Sequence, residues 1–143
     1  ATAVLQPGER HLLVAHAWGG LLRHPAAGRE FDLGLGAGLR AFPAHAFTGD
    51  RHFILSAEYR WLAWPRLLGL VGVGAAAFGD HAGAWYQGAS RRTGTEFGAG
   101  LRLASIREAG SVWRLDLSRR LATDRLAGGW VFSLGRGYVF GGI

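Results

Sequence analysis

From Arg51 the chain alternates apolar and polar positions: Phe53, Leu55, Ala57, Tyr59 and Trp61 fall on one face, and His52, Ser56, Glu58 and Arg60 on the other, with Ile54 the apolar exception. A period of two predicts a β-strand. The same pattern recurs in TEFGAGLRLAS, where Phe97, Ala99, Leu101 and Leu103 oppose Glu96 and Arg102. It recurs in SVWRLDLSRRL, where Trp113, Leu115 and Leu117 oppose Arg114, Asp116 and Ser118. The last run, WVFSLGRGYVF, puts Trp130, Phe132, Leu134, Tyr138 and Phe140 on one face. HLLVAHAWGGLL and the Gly-rich run Leu67 to Phe78 read as two more strands, and ATAVLQ as the tail of another, about seven in all. Pro65 in AWPR is expected to end the strand before it, because proline cannot donate to the ladder.

The connections alternate in length. PGER, AWPR and IREAG are short; segments 23–50, 79–94 and 122–128 are long. Short turns at one end and long loops at the other are the pattern of an up-and-down outer-membrane barrel. In such a barrel the apolar face points to lipid and the charged face to the lumen; in a soluble barrel the faces are exchanged. Alternation alone does not separate the two. Aromatic placement favours the membrane: Trp61, Trp113, Tyr138 and Phe140 fall near the short turns or the C-terminus, and Phe53, Phe97, Trp130 and Phe132 near the long loops. Two aromatic levels are what two membrane interfaces select. A single-chain membrane barrel needs at least about eight strands, so seven must be completed by further strands of a longer chain or by other chains.

Composition changes this picture in a few places. The 24 glycines exceed twice the ordinary usage of about 7% and sit inside apolar runs, which suits curved, close-packed strands. No charge-free stretch reaches the roughly 18 residues that a transmembrane helix needs. The absence of cysteine removes disulfides and thiolate metal sites. The first residues lack signal-peptide character, so the chain reads as processed or excised from something longer. The net charge is +6, and all 16 basic residues are arginine. They are spread along the chain rather than gathered with aromatics, which points to lipid or phosphate-rich glycolipid and away from nucleic acid.

Candidate chemistry is sparse. His52, Ser56 and Glu58 share a face, but four residues along a strand separate His52 from Ser56 by about 13 Å, too far for direct activation of a nucleophile. The six histidines show no ligand spacing, so no metal or other cofactor is expected. A small lipid-modifying barrel enzyme and a soluble lipocalin-like ligand-binding barrel are the alternatives to a non-enzymatic membrane barrel.

The ordered motifs GLGAGLRAFP, TGDR, AEYR, then Phe78-Gly79-Asp80 with Gly83 and Trp85, then Phe132, Gly135, Tyr138 and Phe140, are specific in combination. On them the chain, from about residue 10 to residue 140, resembles the C-terminal barrel of the BamA/TamA-type bacterial surface-antigen superfamily. The resemblance implies residues 1–143 are the C-terminal part of a barrel of about sixteen strands, without the periplasmic POTRA repeats that accompany it. It implies residence in the bacterial outer membrane among lipids and lipopolysaccharide, and work on a client or secreted polypeptide. It implies that the 23–50 loop folds into the lumen, with Arg40 paired to Asp80 and Glu58 beside Phe78. It implies that the last strand, with Phe132, Gly135, Tyr138 and Phe140, is an assembly signal. Ala41 departs from the family's usual glycine, Gly-Gly-Ile follows Phe140, and Arg136 falls on the outward face.

Overall fold

The computed structural model describes residues 1–26, 28–35, 37–105 and 111–138. The protein is all-β, and no helix occurs among these residues. Seven strands form one antiparallel up-and-down sheet: β1 (Thr2–Gly8), β2 (His11–Leu21), β6 (Arg51–Leu67), β7 (Val71–Trp85), β8 (Thr93–Ser105), β9 (Ser111–Arg120) and β10 (Gly129–Tyr138), side by side in that order. The sheet does not close on itself; β1 and β10 are its edges. Between β2 and β6 lies a small second sheet of β3 (Phe31–Leu35), β4 (Gly38–Leu39) and β5 (Phe47–Gly49), so the expected loop 23–50 carries strands of its own.

The two faces of the large sheet differ in kind. One bears Leu55, Tyr59, Trp61, Phe97, Leu101, Trp113, Leu117, Trp130, Phe132 and Leu134, all exposed. The other buries Glu58, Asp80, Glu96, Arg102, Asp116 and Ser118 beneath the β3–β5 excursion. The apolar core is accordingly small and lies between excursion and sheet: Leu33, Leu39, Phe42 and Phe47 from the excursion, and Ile54, Ala82 and Ala84 from the wall. Ile54, the apolar exception on a polar face, is there because the excursion lands on it. A side chain at Gly38 would meet Ile54 at 2.7 Å, and the positive φ of Gly38, +85°, suits glycine independently.

Three boundaries differ from expectation. Pro65 does not end β6; it lies where the β6–β7 register shifts between Trp64 and Leu67, a place where a ladder donor is not needed. The hairpin closes further on, through Leu68 and Gly69, both at positive φ, with Leu70 N donating to Leu67 O. Two left-handed central residues give the turn whose twist matches that of the flanking strands. Trp61 is therefore well inside β6 rather than at its end. The expected 79–94 loop is mostly strand: β7 continues through Asp80 to Trp85, leaving only 86–92 as a connection. Gly79, Asp80 and Gly83 carry turn chemistry, yet the strand's alternation continues: Asp80, Ala82 and Ala84 are buried on the inner face, while His81 and Trp85 are only half-buried on the other. Finally, β10 spans Gly129–Tyr138; Phe140 lies outside the described residues, as does the side chain of Tyr138.

The short connections 9–10 and 68–70 meet the end of the sheet at which β8 finishes and β9 begins, and the long ones between β2 and β6, β7 and β8, and β9 and β10 meet the other. The inner face of β8 explains part of the glycine excess. A Cβ on Gly94 would stand 2.5 Å from the Phe42 ring and 2.7 Å from that of Phe47, and one on Gly98 would stand 2.7 Å from Phe78. These glycines are seats for rings. Gly94→Ala should therefore lift Phe42 and Phe47 off the wall, at about 1–3 kcal/mol. Limited proteolysis checks this: cleavage within 22–50 should accelerate while the strands stay protected.

Candidate functional site

The residues that hold the excursion against the wall converge on Leu39-Arg40-Ala41-Phe42. The backbone N–H of Arg40 donates to Glu96 Oε1 at 2.6 Å and that of Ala41 to Glu96 Oε2 at 2.7 Å. Both oxygens of one buried carboxylate are thus spent on two successive main-chain donors. At the carbonyl end of Ala41, Arg120 Nη1 donates to Ala41 O at 2.8 Å. Ala41, where the resemblance leads one to expect glycine, is buried between these two anchors.

The Arg40 side chain reaches three further strands. Nη2 donates to Glu58 Oε2 at 2.9 Å and Nη1 to Asp116 Oδ2 at 3.0 Å. Nε lies 3.2 Å from Asp80 Oδ2, close enough for an ion pair, although that oxygen accepts no hydrogen bond. The planar, five-donor guanidinium is the side chain able to present separate N–H groups to three acids at once. Its flat face lies over the Phe78 ring, with Cζ 3.7 Å from the centroid, a cation–π contact. Burial by itself opposes the charge on Arg40, but Asp80, Glu58 and Asp116 outweigh it and hold its pKa above the usual arginine value.

A second tier of charge surrounds this centre. Arg102 Nε donates to Glu58 Oε1 at 3.0 Å, and its Nη1 donates to Asp116 Oδ1, so Arg102 bridges the same two acids as Arg40. Arg60 Nε adds a bond to Glu58 Oε1 at 2.6 Å. Ser56 donates to Asp80 Oδ1. The strands contribute one acid each: Glu58 from β6, Asp80 from β7, Glu96 from β8 and Asp116 from β9. Buried acids at this density persist only when each is paired.

The structure therefore brings Arg40, Glu58, Asp80 and Phe78 together, and adds Asp116, Glu96, Arg102 and Arg120, which sequence reasoning did not assign to the site. Their signal was present as parity, since all share the polar face, but parity does not give the inter-strand register that aligns them with residue 40. The C-terminal strand residues are elsewhere: Phe132 is exposed on the outer face, Gly135 faces inward, Tyr138 pairs through its backbone with Ser111, and Phe140 is outside the described residues. Arg136 stands on the outer face beside Trp113, 5.7 Å from the ring centroid. His52 is not joined to Ser56; its ring is held between Trp18 and Phe31. Ser56, bonded to Asp80, has an acid as its partner rather than an imidazole.

Compared with protein-family models, with curated proteins and with solved structures, the chain matches none of them. The resemblance to the surface-antigen superfamily rests on its motif residues.

Removing Arg40 leaves the acids of β6, β7 and β9 with less than their full complement of cations. Loss of one partner of a buried pair costs about 3–5 kcal/mol, less where water enters. Arg40→Ala should free the excursion to proteases, and Arg40→Lys, which keeps the charge but not the fork, should recover only part of the protection. A double-mutant cycle with Asp80→Asn checks the pairing through a coupling energy; strictly additive effects show that the two groups act independently.

Proposed function

We propose that this chain is a wall segment of a bacterial outer-membrane β-barrel that assembles or translocates polypeptides, in the manner of the BamA/TamA-type barrels it resembles, and that it performs no covalent chemistry. The observation that carries this reading is the inversion of the two faces. A row of large apolar and aromatic side chains is exposed on one side of the sheet, while the ion-paired charges are buried on the other. Water as the outer solvent offers no reason to expose so many large side chains, whereas lipid does. Unpaired strand edges are not tolerated in hydrocarbon, so in this reading β1 and β10 are completed by further strands, from a longer chain or from partners.

In this reading the long connections face outside and the short ones the periplasm. The outward aromatics sit among lipids and lipopolysaccharide, and the lumen side meets the client. The Arg40 lock holds the excursion inside the lumen as a fixed structural part. It stiffens the wall rather than acting on a substrate.

The experiment is expression in a Gram-negative host followed by fractionation. The chain should sediment with outer membranes, resist extraction by alkaline carbonate and require detergent for release. Recovery in the aqueous phase without detergent contradicts the reading. A chain lacking residues 130–143 should fail to insert altogether rather than insert with lower stability, and normal insertion of that truncation argues against a signal role for the last strand.

A further inference from the structure

Around Arg40 the inner face carries four acids, Glu58, Asp80, Glu96 and Asp116, and five arginines, Arg40, Arg60, Arg102, Arg114 and Arg120. Arg120 donates to the main-chain oxygens of Ala41 and Ala127. Glu96 spends both oxygens on neutral backbone donors. The other three acids are shared among Arg40, Arg60 and Arg102. Arg114 is left over. Among the described residues no hydrogen bond or ion pair reaches its guanidinium, and its Nε is buried without an acceptor. Its direct cross-strand neighbour is another arginine, Arg102. Arg40, Asp116 and Glu58 also lie near it, but among the described residues no acid is at ion-pair distance, and a part-buried cation without a contact partner calls for an anion.

The direction of the side chain says from where. Arg114 is in register with Gly135 of β10. A Cβ at Gly135 would stand 3.1 Å from Arg114 Nη2 and 3.4 Å from Nε. The guanidinium thus lies across the bare backbone of β10, over a position where a side chain would crowd it. It borders a cavity of about 420 Å³ lined also by Asp116, Ser133 and Gly135. Beyond β10 there is no further strand among the described residues, so the head of Arg114 is directed to the free edge of the sheet.

We propose that Arg114 receives a carboxylate from the polypeptide strand that pairs with the free edge of β10, an inward-facing Asp or Glu at or next to the position opposite Gly135. An added strand lies about 4.8 Å away, so an inward acid there spans the remaining gap to a guanidinium already reaching over Gly135. The fork of arginine matches a carboxylate in two parallel hydrogen bonds. A polypeptide, rather than a lipid phosphate, is the ligand because the backbone groups of this edge themselves require a strand. The inference rests on the reading of the sheet as an incomplete barrel wall. It gives that open edge a sequence preference.

The test uses the full chain refolded in detergent micelles and fluorescently labelled strand peptides with apolar residues on one face and Ser or Thr on the other. One peptide carries Glu at the inward position opposite Gly135, a second Gln there, and a third Glu two residues away. Fluorescence anisotropy should show the first peptide binding about ten-fold or more tightly than the Gln peptide, the scale of one charge-assisted bond, with the third weaker than the first. Arg114→Gln should abolish the preference. Gly135→Ala, which keeps the charge but displaces the guanidinium, should reduce it. Equal affinity of Glu and Gln peptides, a preference that survives Arg114→Gln, or no binding of any strand peptide each overturns the proposal. Membrane insertion of the same chain, measured separately, distinguishes this failure from failure of the barrel reading.

Discussion

A buried guanidinium has to be answered by charge, and in this protein the answer is distributed. Arg40 is met by one acid from β6, one from β7 and one from β9, while the backbone that carries it is held by an acid from β8. No single strand pair could supply this arrangement. The excursion 22–50 is therefore fixed by the wall as a whole, and four neighbouring strands are in turn tied to one another through a residue that belongs to none of them. The exposed apolar face, the small core and the glycine seats on β8 all follow from placing this charged centre on the inner side.

The balance of forces is unusual for a small β-protein. The apolar core is limited to the residues trapped between excursion and sheet, so burial of hydrocarbon within the chain contributes modestly. The ionic network is the larger ordering element. Buried ion pairs are poor sources of net stability relative to packed hydrocarbon, but breaking one is costly. Such a network specifies a single arrangement more than it deepens the well.

Much of this was legible in the sequence, and for a physical reason. Period-two alternation is local, so β6, β8 and β9 and the sign of each face could be read directly from residues such as Phe53 to Trp61. The chemistry of Arg40 with Glu58, Asp80 and Phe78 was reachable through motif order. The small sheet β3–β5 was not, because its strands are a few residues long and Gly-rich. The extension of β7 past Asp80 was hidden by residues that equally suit a turn. Pro65 misled because a rule about ladder donors was applied where the register shifts and no donor is needed. Asp116 and Arg120 were missed because their partner lies far along the chain, and nothing local reports a register between strands.

The separation between Arg40 and Asp116, 76 residues, has a consequence for the order in which the fold is completed. The contact with Glu58 spans only 18 residues and can form as soon as β6 is in place. The contacts with Glu96 must wait for β8, and the one with Asp116 for β9. Closing longer loops is entropically dearer and slower, so Arg40 acquires its partners in the sequence in which the strands join. Until β9 arrives, the excursion is held by an unfinished set of acids and stays easier to displace. The lock then acts as a checkpoint in time: it tightens fully only on a wall that has been built through its fourth acid-bearing strand.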